Sequence, residues 1–171
     1  MKKINYIDVN EFNPLNFDSI IDVRSPAEFT EDHIPNSVNL PVLSDLERGE
    51  VGTLYKSLSP FEARKVGSAL IAENVANHIK NGLSNNNETW RPLIYCWRGG
   101  QRSKAFATIL NEVGWCVSVV EGGYKAYRKM IYESLYEDEI NYYDDYQNLK
   151  NSCKNHDIFL LHPMNIYQMQ V

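Results

Sequence analysis

The sequence predicts an α/β fold, with a central, mostly parallel sheet covered by helices on both faces. Two observations predict it. Short apolar runs of strand length alternate with longer segments of helical periodicity, and each helical segment is announced by a start signal placed just after a run. The runs are also apolar enough for strands buried inside a sheet, as parallel strands are.

Taken in order, Ile4 to Val9 reads as a first strand and Ser19-Ile20-Ile21-Asp22-Val23 as a second. Ser25-Pro26-Ala27-Glu28 then starts a brief helix, because Ser caps, Pro suits the first helical position and Glu three residues on closes a capping box. His33-Ile34-Pro35-Asn36 turns the chain, and Val38 to Pro41 is another short strand. A second capping box, Ser59-Pro60-Phe61-Glu62, opens a helix to about Lys80, with Val66, Ala69, Leu70, Ala72, Val75, Ala76 and Ile79 at helical spacing. Asn81 to Thr89, rich in Asn and Gly, is a loop. Pro92-Leu93-Ile94-Tyr95 is a strand ending at Cys96. After a glycine-containing loop comes a helix with Phe106, Ile109, Leu110 and Val113 on one face, capped by Gly114. Trp115 to Val120 is a buried strand, Glu121-Gly122-Gly123 a turn, and Tyr124 to about Tyr136 an amphipathic helix carrying Tyr127, Ile131 and Leu135. One domain over residues 1–136 and an acidic, Tyr-rich tail over 137–171 are expected.

The 171 residues, 43% hydrophobic and 23% charged, suit one globular domain. No run approaches the length of apolar chain that spans a bilayer, and Met1-Lys2-Lys3 leads into no apolar signal core, so a cytoplasmic protein without membrane contact is expected. Three cysteines at wide spacing, Cys96, Cys116 and Cys153, point to neither a disulfide framework nor a metal site. From Ile131 to Lys150, Glu133, Glu137, Asp138, Glu139, Asp144 and Asp145 oppose Lys150 alone, so that stretch carries the whole formal net charge of −5. Neither part has the clustered Lys and Arg of a nucleic-acid surface, so any RNA contact is local or needs a partner.

Cys96 is the candidate catalytic residue. It stands where a buried strand gives way to a helix, so amides of Trp97, Arg98, Gly99, Gly100, Gln101 and Arg102 can face its sulfur and favour an anion. Gly99 and Gly100 let the backbone curl into such a nest, and Arg98 and Arg102 add positive charge. These are the conditions that favour a nucleophilic thiolate. Cys116, inside an apolar run, reads as core, and Cys153 as a tail residue that could resolve a persulfide or disulfide on Cys96. Trp97 either props the loop or offers a platform to an apolar or aromatic group. Asp22 and Arg24, at the sheet edge where open α/β folds bind ligands, either support the Cys96 loop or pair with each other, the commoner use of a charged strand end. His33 reads as a hydrogen-bonding turn residue, and Lys56 and Arg64 as solvated or anion-facing.

Asp22-Val23-Arg24-Ser25-Pro26-Ala27-Glu28-Phe29, then His33-Ile34-Pro35-Asn36-Ser37-Val38-Asn39, and later Cys96 with its loop together resemble the rhodanese superfamily over most of residues 1–130. A closer resemblance, to the rhodanese domain of the tRNA 2-selenouridine synthase family, is carried by residues 47–56, by Ser59-Pro60-Phe61-Glu62-Ala63, by residues 96–103 and by Glu121-Gly122-Gly123-Tyr124-Lys125-Ala126-Tyr127. It implies a three-layer rhodanese-like fold and replacement of sulfur by selenium at 2-thiouridine in the tRNA wobble position, using selenophosphate, through a geranylated intermediate. Cys96 matches that family's catalytic cysteine, and Arg98 and Arg102 its basic loop positions. tRNA is the implied partner, and no tightly bound cofactor or metal is expected. The full-length family carries a second domain with a phosphate-binding P-loop, and this chain has no glycine after Gly123. A truncated or split form is therefore expected, with a separate P-loop protein as a candidate partner.

Two other functions compete with chalcogen transfer. Cys96 and Arg102 have the Cys-x5-Arg spacing of cysteine-dependent phosphatases and arsenate reductases, although Tyr95 stands where such phosphatases present His and no Asp is placed as leaving-group acid. The other alternative is a non-catalytic rhodanese module that binds a partner.

Overall fold

Three strand-length apolar segments, at Ile20-Ile21, Leu93-Ile94 and Val119-Val120, alternate their side chains between the two faces of one sheet, as the period of two in a β-strand requires. The computed structural model of the protein describes residues 3–135. Those residues fall in two units, the first ending at Met130 and the second beginning at Ile131.

The first unit holds strands β1 (Asn5–Ile7), β2 (Ser19–Asp22), β3 (Val38–Asn39), β4 (Pro92–Tyr95) and β5 (Ser118–Val120). Its helices are α1 (Pro26–Glu31), α2 (Asp45–Ser57), α3 (Pro60–His78) and α4 (Gln101–Val113), followed by α5, helical over residues 123–130. Residues 131–135, in the second unit, are also helical. The strands form one sheet in the order β1-β5-β4-β2-β3, every pair parallel. This is the expected α/β architecture with a parallel sheet, three layers deep.

One apolar cluster fills the face beneath α2, α3 and α4, with Ile21, Ile94, Val119, Phe106, Leu110, Ile71 and Val75 at its centre. The opposite face gathers Ile20, Leu93, Tyr95, Val120, Ile34 and Tyr124, with Phe12, Phe17, Trp97 and Tyr127 packed against it. Chain order puts the site between these layers. After β2 the chain crosses to β3 on one side, and after β4 it crosses to β5 on the other, so the crevice at the carboxyl ends of β2 and β4 is the switch point where open α/β sheets bind ligands.

Several elements differ from expectation. The strand starting at Ile4 is shorter than expected, and Val9–Glu11 closes a 3-10 turn on the Asp8 side chain. The run from Trp115 forms a strand only from Ser118, leaving Cys116 half-buried between buried Trp115 and Val117 rather than in the core. Helix α3 ends at His78 and continues as a π-helical turn over Ile79–Leu83 in place of a simple loop. Its buried stripe is Ala63, Gly67, Ile71 and Val75, while Ala69, Ala72 and Ala76 face solvent. Gly67 sits in that stripe because α2 crosses close by; a Cβ there would meet the Val51 side chain at 3.3 Å.

Helix α2 is the element the periodicity did not announce. It buries only Val51 and carries two internal glycines, so it shows no apolar stripe. Its start signal is nonetheless present, because Ser44 and Glu47 close a capping box, Ser44 N–H donating to the Glu47 carboxylate at 2.7 Å. The expected tail over 137–171, including Cys153, lies outside the described residues. Among the described residues no helix is long and apolar enough to cross a membrane.

Candidate active site

Strand β4 is central in the sheet and buried along its whole length, so it delivers Cys96 at its carboxyl end to a fixed place. The residue is only 3% exposed and belongs to the apolar cluster under α4, yet it lies on the wall of an open cleft of about 730 Å³. Its Sγ sits 3.2 Å from Oγ of Ser103, in the first turn of α4, and that hydroxyl also lies 3.2 Å from the Gly100 carbonyl. Ser103 is thus placed to donate to a thiolate or to accept from a thiol.

The loop from Cys96 to Gly100 is shaped from behind. Tyr124 N–H donates to the Cys96 carbonyl at 2.8 Å, and Lys125 N–H donates to the Trp97 carbonyl at 3.0 Å. These two bonds hold the loop against the β5–α5 turn, where the Arg98 and Gly99 nitrogens also lie close to Gly123. Gln101 to Ser103 are the first residues of α4, whose amides have no carbonyl a turn earlier to bond. Among the described residues no acceptor meets any amide from Trp97 to Ser103. A run of donors at a helix N-terminus is a place for an anion.

The glycines differ in what they do. Gly99 has φ +63° and lies against the β5–α5 turn, where a Cβ would stand 2.9 Å from the Val120 carbonyl oxygen. Gly123 has φ +63°, and a Cβ there would collide with the Cys96 carbonyl and the Gly99 amide. Gly100 has negative φ and open space where its Cβ would be, so no neighbouring atom excludes a side chain at that position.

Asp22 and Arg24 pair with each other beneath the loop. Asp22 is fully buried and Arg24 2% exposed; Nη2 of Arg24 lies 2.7 Å from Asp22 Oδ2, and Nε and the Arg24 amide also donate to that carboxylate. The Arg24 guanidinium further donates to the Asp32 carbonyl and stacks over Tyr124, 4.1 Å from the ring centre. Burial pushes the guanidinium toward losing its proton, but Asp22 outweighs it and raises its pKa. Trp97 packs beside these groups, 5.9 Å from the Tyr124 ring and 6.0 Å from Arg24, and also borders the cleft. His33 stacks on Phe29 and bonds its carbonyl, a turn residue as expected.

The two loop arginines part company. Arg98 is exposed at the cleft with no carboxylate in reach among the described residues. Arg102 is held by Glu28 of α1, Nη1 to Oε2 at 2.5 Å and Nη2 to Oε1 at 3.1 Å. Burial pushes the Glu28 carboxyl up, yet Arg102, the Ser25 amide and Arg48 together draw it below the ordinary range. The pairing was hidden because Glu28 already had a use in the sequence, as the acid of the α1 capping box.

The cleft brings together more cations than the two loop arginines. Arg48 from α2, Arg64 from α3 and Lys104 from α4 join Arg98 and Arg102 around Cys96, while Leu43, Val51 and Ile71 provide apolar wall. None of its lining residues is Asp or Glu. Three separate segments supply this charge, so no run of basic residues signalled it. Tyr95 bonds with its hydroxyl to the Ile34 amide and Ser37, away from the cleft, and is not among the lining residues. Lys56 is exposed and not among them either. Cys116 borders a second cleft of about 600 Å³ with Arg91, Glu88 and Trp115. Among the described residues no group of three or more His, Cys, Asp or Glu could hold a metal ion.

Residues 9–130 match the family model of the rhodanese-like domain. The chain is 38% identical over 112 residues to the tRNA 2-selenouridine synthase of Psychromonas ingrahamii, covering 66% of this chain and 31% of that protein. It is 40% identical over 118 residues to the tRNA 2-selenouridine synthase of a Sulfurovum species, covering 68% and 32%. The match thus spans about a third of the length of these curated relatives. A crystal structure described as the N-terminal domain of an ATP/GTP binding protein from Clostridium difficile 630 superposes with a TM-score of 0.63 at 35% identity, covering 74% of this chain and 98% of that one.

Proposed function

Because the chain belongs to the rhodanese-like domain family and is homologous to tRNA 2-selenouridine synthase over that domain, we propose that it transfers sulfur or selenium through the Cys96 thiolate. The observation that supports this most is the loop itself. Carbonyls of Cys96 and Trp97 are tied to α5, and among the described residues the amides from Trp97 to Ser103, in the loop and first helical turn that follow the cysteine, have no protein acceptor. Such donors stabilise charge on Cys96 and on any sulfur or selenium attached to it. Arg98, Arg102 and the other cleft cations draw an anionic donor to the same place.

With thiosulfate as donor, the thiolate attacks the outer sulfur, the S–S bond breaks, and its electron pair leaves on sulfite. Cys96 is left as a persulfide, anionic and solvated by the loop amides. In the full reading the co-substrate is selenophosphate, the acceptor is 2-thiouridine at the tRNA wobble position, and the setting is the cytoplasm. The cationic cleft supports an RNA substrate, since phosphates are met by clustered Arg and Lys. A cysteine-dependent phosphatase would need a leaving-group acid, which none of the cleft-lining residues provides.

The test is turnover. The purified chain, given thiosulfate and an acceptor thiol, is expected to release sulfite, and Cys96→Ser to release none. Hydrolysis of an aryl phosphate by the unaltered chain, lost in Cys96→Ser, would instead establish the phosphatase reading.

A further inference from the structure

Glu28 lines no part of the cleft, yet it touches two residues that do. Its carboxylate takes both terminal nitrogens of Arg102 in a two-point fork, and Nε of Arg48 lies 3.9 Å away. The same carboxylate accepts the Ser25 amide at 3.2 Å, which fixes it to the first turn of α1. That turn is itself anchored to α2, because Ala27 N–H donates to Asp45 Oδ1 at 3.0 Å. Arg24 adds a longer-range attraction from beneath the loop. Among the described residues Arg64, Arg98 and Lys104 have no carboxylate within ion-pairing distance. Glu28 is therefore the acid, among those residues, that offsets the charge of the cleft.

We propose that Glu28 is a positioning residue that fixes where the Arg102 guanidinium stands and how much of its charge reaches Cys96, and so sets the preference of the cleft for anionic over neutral reagents. The inference rests on Cys96 being the reacting atom. A guanidinium gripped at two points has one orientation, and its field at the sulfur is reduced by the carboxylate behind it. Replacing that carboxylate by an amide leaves the cleft one unit more positive. Gln at this position still accepts at the helix start, so the capping box survives the change.

The experiment compares alkylation of Cys96 by iodoacetate, an anion, and by iodoacetamide, a neutral reagent of similar size, in the full chain. The ratio of the two rates reports the potential at the sulfur, a quantity that a purely structural role would leave alone. In Glu28→Gln the ratio is expected to rise about three- to tenfold, and the gain to shrink in added salt. In Arg102→Gln it is expected to fall, and in the double variant to return toward the unaltered value. An unchanged ratio in Glu28→Gln, with Cys96 still alkylated, overturns the proposal. Failure of Cys96 to react with either reagent in the unaltered chain removes the reading of Cys96 itself, and this inference with it.

Discussion

The carbonyl oxygen of Cys96 accepts the amide of Tyr124 at 2.8 Å, across the sheet from the side on which the cysteine packs. That bond links the turn Glu121-Gly122-Gly123 to the loop that follows β4 and holds the two against each other. Two glycines in different segments, Gly99 and Gly123, are needed for the approach.

Gly123→Ala is expected to be costly on both counts, a positive φ and a Cβ placed onto the Cys96 carbonyl. A loss of about 2–4 kcal/mol is expected from strain and displacement together. Urea denaturation measures it, and Gly100→Ala, where a Cβ meets open space, is the comparison expected to change stability by less than about 1 kcal/mol.

Asp22→Ala leaves the Arg24 guanidinium buried without its carboxylate. Breaking a buried pair from one side costs about 3–5 kcal/mol, so this variant is expected to be among the least stable at the site. Its denaturation midpoint against the unaltered chain gives the comparison.

Ser103→Ala removes the hydroxyl 3.2 Å from Cys96 Sγ without opening a large cavity. Stability is expected to change by no more than about 1 kcal/mol. Formation of a Cys96 persulfide from thiosulfate is expected to slow by about three- to thirtyfold, the worth of a hydrogen bond to a charged sulfur. Stopped-flow measurement of sulfite release separates the two effects.

The Glu28–Arg102 pair makes stability depend on pH. Its folded carboxyl lies below the ordinary value of 4.5, so the unfolded state takes up the proton first as pH falls. The contribution is complete above that ordinary value and is lost as pH falls through the folded one. The stability gap between the unaltered chain and Glu28→Gln is therefore expected to be largest near about pH 7 and to narrow below about pH 4, read from denaturation curves at each pH.

Much of this was legible where a signal is local. Pro92 to Tyr95 is apolar throughout and forms the strand it predicts, because a central parallel strand is buried on both faces. The α1 start was read from Ser25, Pro26 and Glu28, and Asp22 and Arg24 from their place at a strand end. Helix α2 escaped because its inward side borders the cleft and gives only Val51 to the core, so it carries Arg48 and Tyr55 where a stripe of Leu and Ile would otherwise announce a helix. The cationic wall escaped for a related reason. Arg48, Arg64 and Lys104 are isolated in sequence, and only the packing of α2, α3 and α4 gathers them. Arg102 was read as a free loop cation, while its partner Glu28 lies far away in sequence and had already been given a local role.

The most direct test of Cys96 as the acceptor of sulfur or selenium is the mass of the peptide that contains it, after the chain has met thiosulfate or its selenium analogue selenosulfate, each of which leaves as sulfite, and before any reductant. An added sulfur or selenium atom on Cys96, removed by dithiothreitol and absent from Cys96→Ser, is the expected result. An unmodified Cys96 peptide with both donors, from folded protein, would contradict the account.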